Sequence, residues 1–243
     1  MSSRVDVGAV ISRTFEIYVD QASVLMPAAA VVFVISGILT AVLVAASPAL
    51  ALIGFIVSLV ASTLFTGMVV ELVADVQDGK RDATPGQLLR AATPVIGNLI
   101  LVGIVAGIGI AIGFVLVIVP GLILITIWSV AAPVVVLERP GGLRALGRSR
   151  ELVKGSGWNV FAVILLLVIL VGVVAAVLDG VAGLAGSGVG IVVRVIVGIL
   201  TAPISSLAQA VLYFQLRGST TPAQPEPDPS GPFQAGGFPP AAP

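Results

Sequence analysis

Charge is missing from this chain in long unbroken runs, and that absence constrains the fold more than any motif. No Asp, Glu, Lys or Arg lies between Asp20 and Glu71, a run of 50 residues, or between Arg90 and Glu138, a run of 47. A helix needs about 20 apolar residues to cross about 30 Å of hydrocarbon. Each run is therefore too long for one crossing and long enough for two. Ser47-Pro48 and Pro120-Gly121 interrupt them near their middles, so each reads as a hairpin of two helices. Shorter runs of 24 residues (Lys154 to Asp179) and 22 residues (Arg194 to Arg217) read as one span apiece. The expected spans lie near 25–46, 49–74, 96–119, 121–137, 158–178 and 192–214. A membrane β-strand would alternate polar and apolar residues over about ten positions. These runs are continuously apolar, and lipid leaves a helix as the only open segment able to satisfy its own peptide groups.

Composition supports that reading. Charged residues make up 10% of the 243, against roughly 25% in a soluble domain. The net charge is zero, so there is no basic surplus for nucleic acid. Cysteine and histidine are both absent. That removes disulfides, thiolate nucleophiles, His-based acid/base catalysis and the common zinc sites. No catalytic, cofactor-binding or metal site is expected, and no cofactor.

Amphipathic segments precede the hairpins. Residues 1–23 carry Asp6, Glu16 and Asp20, too much charge for a cleavable signal peptide. Ser3 and Asp6 have capping-box spacing. Val7, Val10, Ile11, Phe15 and Tyr18 then share a face opposite Arg13, Glu16 and Asp20. The helix lies in the interface plane or packs on the end of the bundle. In 84–92, Thr84-Pro85-Gly86-Gln87 supplies an N-cap, a proline at the first position and a glutamine at the third. In 142–154, Ala145, Leu146, Leu152 and Val153 occupy one arc, and Arg144, Arg148, Glu151 and Lys154 the other. The chain thus reads as three units, each an interfacial helix followed by a two-helix hairpin. The expected fold class is all-α, a polytopic membrane helical bundle of about six transmembrane helices over residues 24–217.

With six spans, eleven of the twelve Lys and Arg residues fall on one side. The positive-inside rule places that side, and both termini, in the cytoplasm of a bacterial plasma membrane. Residues 218–243 hold eight prolines and read as a disordered cytoplasmic tail, with Phe233 and Phe238 as weak stickers for a protein partner. Arg139, Arg144, Arg148, Arg150 and Lys154 set the topology and face anionic lipid headgroups. Arg194, the one cation off the pattern, reads as a snorkelling residue near a span end. The alternative is an intramembrane pair with Asp179 across a 179–191 loop. Glu71 and Asp75 read as interfacial carboxylates pairing with Lys80, Arg81 or the 144–154 cations. Gly103, Gly107, Gly109 and Gly113 have the small-residue spacing of close helix packing. Gly186-Ser187-Gly188-Val189-Gly190 reads as a flexible turn. Trp128 reads as packing, and Trp158, Tyr213 and Phe214 as interfacial aromatics.

Pro120-Gly121-Leu122-Ile123-Leu124, Ala132 to Glu138, Ala145-Leu146-Gly147-Arg148-Ser149 and Leu152-Val153-Lys154-Gly155 together resemble the membrane domain found beside bacterial glycerophosphoryl diester phosphodiesterases. Related stand-alone multi-spanning proteins of unknown function share that pattern. The resemblance extends over about residues 5–216, with its specific part in 120–155. It implies a six-helix membrane domain. Phosphodiesterase activity is not expected, because in that family it resides in a separate soluble barrel with catalytic histidine. The expected role is structural, regulatory or accessory, with two alternatives, a small-solute transporter or permease and, ranked last, a lipid-modifying enzyme. For transport, only Asn98, Thr126, Ser129 and Arg194 are candidate mid-depth polar groups.

Overall fold

The computed structural model describes residues 5–79, 84–185 and 187–220. Among them there is no strand. The helices are α1 (Val7–Asp20), α2 (Ala22–Ala46), α3 (Ala51–Gln77), α4 (Pro85–Ala92), α5 (Ile96–Leu116) and α6 (Ile118–Trp128). A short α7 (Ala131–Pro133) runs into a π turn (Val134–Glu138), followed by α8 (Arg144–Val153), α9 (Gly157–Ala185) and α10 (Ser187–Thr220). Six stretches are long and apolar enough to cross a membrane: Ala22–Ala46, Ala51–Gln77, Pro85–Leu116, Ile118–Glu138, Gly157–Leu178 and Val195–Gly218. The chain is an all-α bundle of membrane-spanning helices.

Two breaks fall elsewhere than expected. The second hairpin turns at Val117, whose φ of −161° and ψ of 145° are extended, and not at Pro120-Gly121. Pro120 sits in the first turn of α6, where a missing N–H forfeits no intrahelical bond. The loop expected over 179–191 is helix up to Ala185 and again from Ser187. Once a helix is nucleated, each added Ala, Val or Leu extends it at little cost, and Asp179 does not stop it. The side chains of Asp179 and Arg194 lie outside the described residues, as do Ser3, Lys80, Arg81, Gly186 and the tail from 221 onward.

At the start of the chain, Asp6 is the N-cap of α1, accepting from the Ala9 N–H at 3.2 Å. It is therefore not the third residue of a capping box begun by Ser3. The buried stripe is Val10, Thr14 and Ile17, with Val7 and Tyr18 packed at its margins. Spacing of i, i+4, i+7 is one helical face, and α10 covers it together with α9 and α2. Of the two arrangements open to this helix, it packs on the bundle. At α4 the capping box forms, the Thr84 N–H donating to Gln87 Oε1 at 2.8 Å.

Burial is uneven along the bundle axis. Tightly buried side chains concentrate toward the charged end: Phe65 to Val76 of α3, Val130 to Val136, Ala145 to Val153 of α8, and Leu207 to Leu216 of α10. Toward the other end, Ile35, Leu52, Phe55, Ile108, Val115 and Ile169 are exposed. Lipid tails are as apolar as these side chains, so no hydrophobic force gathers them inward. The charged end is where packing holds side chains in place.

Candidate functional site

The centre of that end is Glu138, the last residue of the π turn. The turn closes with Arg139 N–H donating to the Val134 carbonyl at 3.2 Å. Arg139 then adopts φ 50°, ψ 42°, a left-handed conformation that costs a non-glycine residue roughly 1–2 kcal/mol. Gly141, at φ 83°, completes the reversal without that penalty. The extra residue of a π turn rotates the side chains that follow it, and such turns recur at functional positions.

Glu138 joins two elements. Arg148 Nε of α8 donates to its Oε2 at 2.9 Å, and the Tyr213 hydroxyl of α10 donates to its Oε1 at 3.0 Å. Tyr213 is fully buried. Arg148 also reaches Glu151 Oε2 at 3.3 Å. The hydrogen bond to Glu138, ahead of a smaller opposing effect of burial, raises the Arg148 pKa above its usual value. Glu71, at the end of α3, lies 3.8 Å from Arg139, so its partner is not among the 144–154 cations. A carboxylate accepting two bonds from two helices acts as a clamp between α8, α10 and the π turn.

On α8 the apolar arc is buried as its wheel requires, with Ala145, Leu146, Leu152 and Val153 all inside. Ser149 shares that arc, fully buried, and its hydroxyl donates to the Ile127 carbonyl at 2.8 Å. Ile127 lies just before the interruption at Ser129 and Val130 between α6 and α7. On the opposite arc Arg144, Arg150 and Lys154 are exposed. The five cations expected to act together therefore divide. Arg148 is tied to Glu138 and Arg139 neighbours Glu71, because both sit where the chain folds back on the bundle. Arg144, Arg150 and Lys154 face outward.

The glycines divide as well. A Cβ at Gly109 would lie 2.7 Å from the Trp128 ring, and one at Gly113 would lie 3.0 Å from the Gly121 backbone. At Gly103 and Gly107 it would meet nothing within 4 Å among the described residues. Alternate pairs on a helix point to different neighbours, and only the second pair faces α6.

A second feature lies deeper. A cavity of about 210 Å³ opens between α3, α5 and α10, lined by Ser62, Thr63, Thr66, Gly103, Trp128 and Gln209 among others. Ser62 and Thr66 fall near the middle of the Ala51–Gln77 span. Gln209 precedes Arg217 by eight residues, about 12 Å of helix. The three hydroxyls donate to backbone carbonyls of α3 itself, at 2.9, 2.7 and 2.9 Å, and Thr66 meets Ser206 at 3.2 Å. Of the mid-depth polar residues expected for transport, Thr126 donates to the Leu122 carbonyl. The Ser129 hydroxyl is buried with no partner among the described residues. Gln209 was not singled out by sequence, and the pairing of Glu138 with Arg148 and Tyr213 was not foreseen. A lone amide inside a span is the signal that would have found Gln209. Glu138 and Tyr213 carry no such signal, each looking like an ordinary interfacial residue. No group of three or more metal-ligating side chains occurs among the described residues.

Residues 9–217 match a family described as a domain of unknown function, DUF8558. No curated protein and no solved structure matches the chain.

Proposed function

The chain belongs to the DUF8558 family, and from its geometry we propose that it is a membrane protein without catalysis of its own, acting as a structural or accessory element that engages anionic lipid. The observation that carries this reading is α8. The helix is held to the bundle by Arg148 on Glu138 and by Ser149 on the Ile127 carbonyl, and Arg144, Arg150 and Lys154 are left exposed. A fixed helix holding three exposed cations at the end of a spanning bundle suits the headgroup region of an anionic leaflet. Each cation contributes about 1 kcal/mol near such a surface. The resemblance over 120–155 fits a membrane domain of this kind, and the cation distribution orients the charged end toward the cytoplasm of a bacterial plasma membrane.

The test compares phosphatidylglycerol with phosphatidylcholine retained by the purified protein. Neutralising Arg144, Arg150 and Lys154 to Gln together should lower the preference for the anionic lipid about a hundredfold, which is what roughly 3 kcal/mol amounts to. Arg148→Gln should leave it nearly unchanged, because that side chain is already paired. An unaltered preference in the triple variant would sink the proposal. A cytoplasmic reporter that fails at the C-terminus would overturn the orientation.

A second reading, passage of a small neutral solute, rests on the cavity at Gln209 and Thr66. Polar groups at mid-depth are what transport folds place at their binding sites. Proteoliposome flux of glycerol or urea tests it. Gln209→Leu should abolish a protein-dependent flux, and a flux equal to that of empty vesicles would end this reading.

A further inference from the structure

A crevice of about 810 Å³ runs between α6 and the start of α9. It belongs to neither feature described above. Its floor and one wall are hydrocarbon, from Val119, Leu122, Ile123 and Phe161. Its rim at the charged end is Ser156, Asn159 and the turn that links α8 to α9, where Gly155 at φ 94° reverses the chain. Lys154 is exposed immediately before that turn. Trp158, also at the rim, is 82% exposed and stacks edge-on against Phe161 with ring centroids 6.0 Å apart.

We infer that this crevice holds one acyl chain of a bilayer phospholipid whose anionic headgroup rests at Lys154. Both walls belong to candidate membrane spans, so the surrounding medium that can enter is lipid. The wall from Val119 to Ile127 is about 12 Å long at 1.5 Å per residue, long enough to seat the upper part of a chain. The volume falls within the roughly 300–1,000 Å³ of ligand sites. From exposed Lys154 beside the rim, through Ser156, Thr126 and the Trp158 indole, to the hydrocarbon of Val119, Leu122 and Ile123, the order of groups repeats the polarity order of a phospholipid from headgroup to tail. An exposed indole at that level is an interfacial anchor. One N–H of the Asn159 amide is committed to the Val5 carbonyl, and its second N–H is left for the rim. The bond to Val5 ties the start of α1 beside the rim. The inference rests on the reading of α8 as a headgroup-binding helix and adds a hydrocarbon site beside it, made of different residues.

The full chain, purified in a mild detergent from membranes containing phosphatidylglycerol, is examined by native mass spectrometry and by lipid extraction. The parent protein should retain about one equivalent of phospholipid through delipidating washes. Ile123→Trp fills the crevice from the α6 wall. Gly157→Leu fills it from the α9 side, where a Cβ meets nothing within 4 Å, so one variant remains decisive if the other fails to fold. Each should lower retention at least tenfold. The variant with Arg144, Arg150 and Lys154 changed to Gln should keep its equivalent but lose headgroup preference. Crevice variants that retain lipid like the parent overturn the inference. In that case loss of preference in the charge variant leaves the headgroup reading standing. Loss of lipid in the crevice variants with preference intact in the charge variant keeps the acyl-chain site but overturns the seat at Lys154 and removes the headgroup reading. A parent protein that retains no lipid, or that covers the crevice with a second copy of itself, also overturns it.

Discussion

Removing the Glu138 carboxylate should loosen the charged end of the bundle more than removing either of its partners. In Glu138→Leu the buried Tyr213 hydroxyl loses its acceptor, and an orphaned buried donor costs about 1–3 kcal/mol. Arg148 loses one of its two carboxylates and keeps Glu151, and its side chain is 40% exposed, so that part is under about 1 kcal/mol. The total is about 1–4 kcal/mol. Tyr213→Phe removes one donor while Glu138 keeps Arg148, and should cost about 1.5 kcal/mol, the lower end for a hydrogen bond to a charged group. The double variant should fall short of the sum by at least about 1 kcal/mol, because with Phe at 213 no hydroxyl is stranded. Reversible unfolding in mixed micelles of a mild detergent and dodecyl sulfate, followed by tryptophan fluorescence, reads all three. If the effects add with no coupling, or if Arg148→Leu costs as much as Glu138→Leu, the clamp as described is wrong.

Four other variants have outcomes set by the same structure. Ser149→Ala should destabilise by about 1 kcal/mol, since the Ile127 carbonyl loses its buried donor; the same unfolding titration measures it. Gly113→Ala should cost about 1–3 kcal/mol by overpacking against a backbone that cannot move aside. Gly107→Ala should be neutral or stabilising, and equal effects at the two sites would refute the division of the glycines. Burial raises the Tyr18 pKa above 10.0. The folded state therefore favours the neutral phenol, whose hydroxyl donates to the Leu200 carbonyl at 3.1 Å. Its contribution is complete below pH 10 and is lost as pH rises through the folded value, so Tyr18→Phe should flatten the alkaline decline in stability. An unchanged alkaline slope would rule Tyr18 out as its source.

Much of the bundle was legible because the solvent enforces it. A 50-residue run without charge leaves few alternatives in lipid, and the arc of Ala145, Leu146, Leu152 and Val153 follows from a 3.6-residue period. The turn at Val117 was not legible, since an extended valine between two apolar helices looks like its neighbours. The continuation of α9 through Asp179 was hidden for a related reason: a charge signals the edge of hydrocarbon and not the end of a helix. The candidate site was legible only in part. Sequence located the cations, but an exposed cation and one held by a carboxylate read identically until the fold brings Glu138 to Arg148.

The sequence by itself determined that this chain is helical, that it spans a membrane about six times and that its cations gather at one end. These follow from local composition and period, which act over one or two helical turns. Tertiary structure alone decided which cations remain exposed, which glycines touch a neighbour and where cavities open. Those outcomes depend on contacts such as Tyr213 to Glu138, 75 residues apart. No periodicity within a single helix encodes them, because they are set by how one helix is rotated against another.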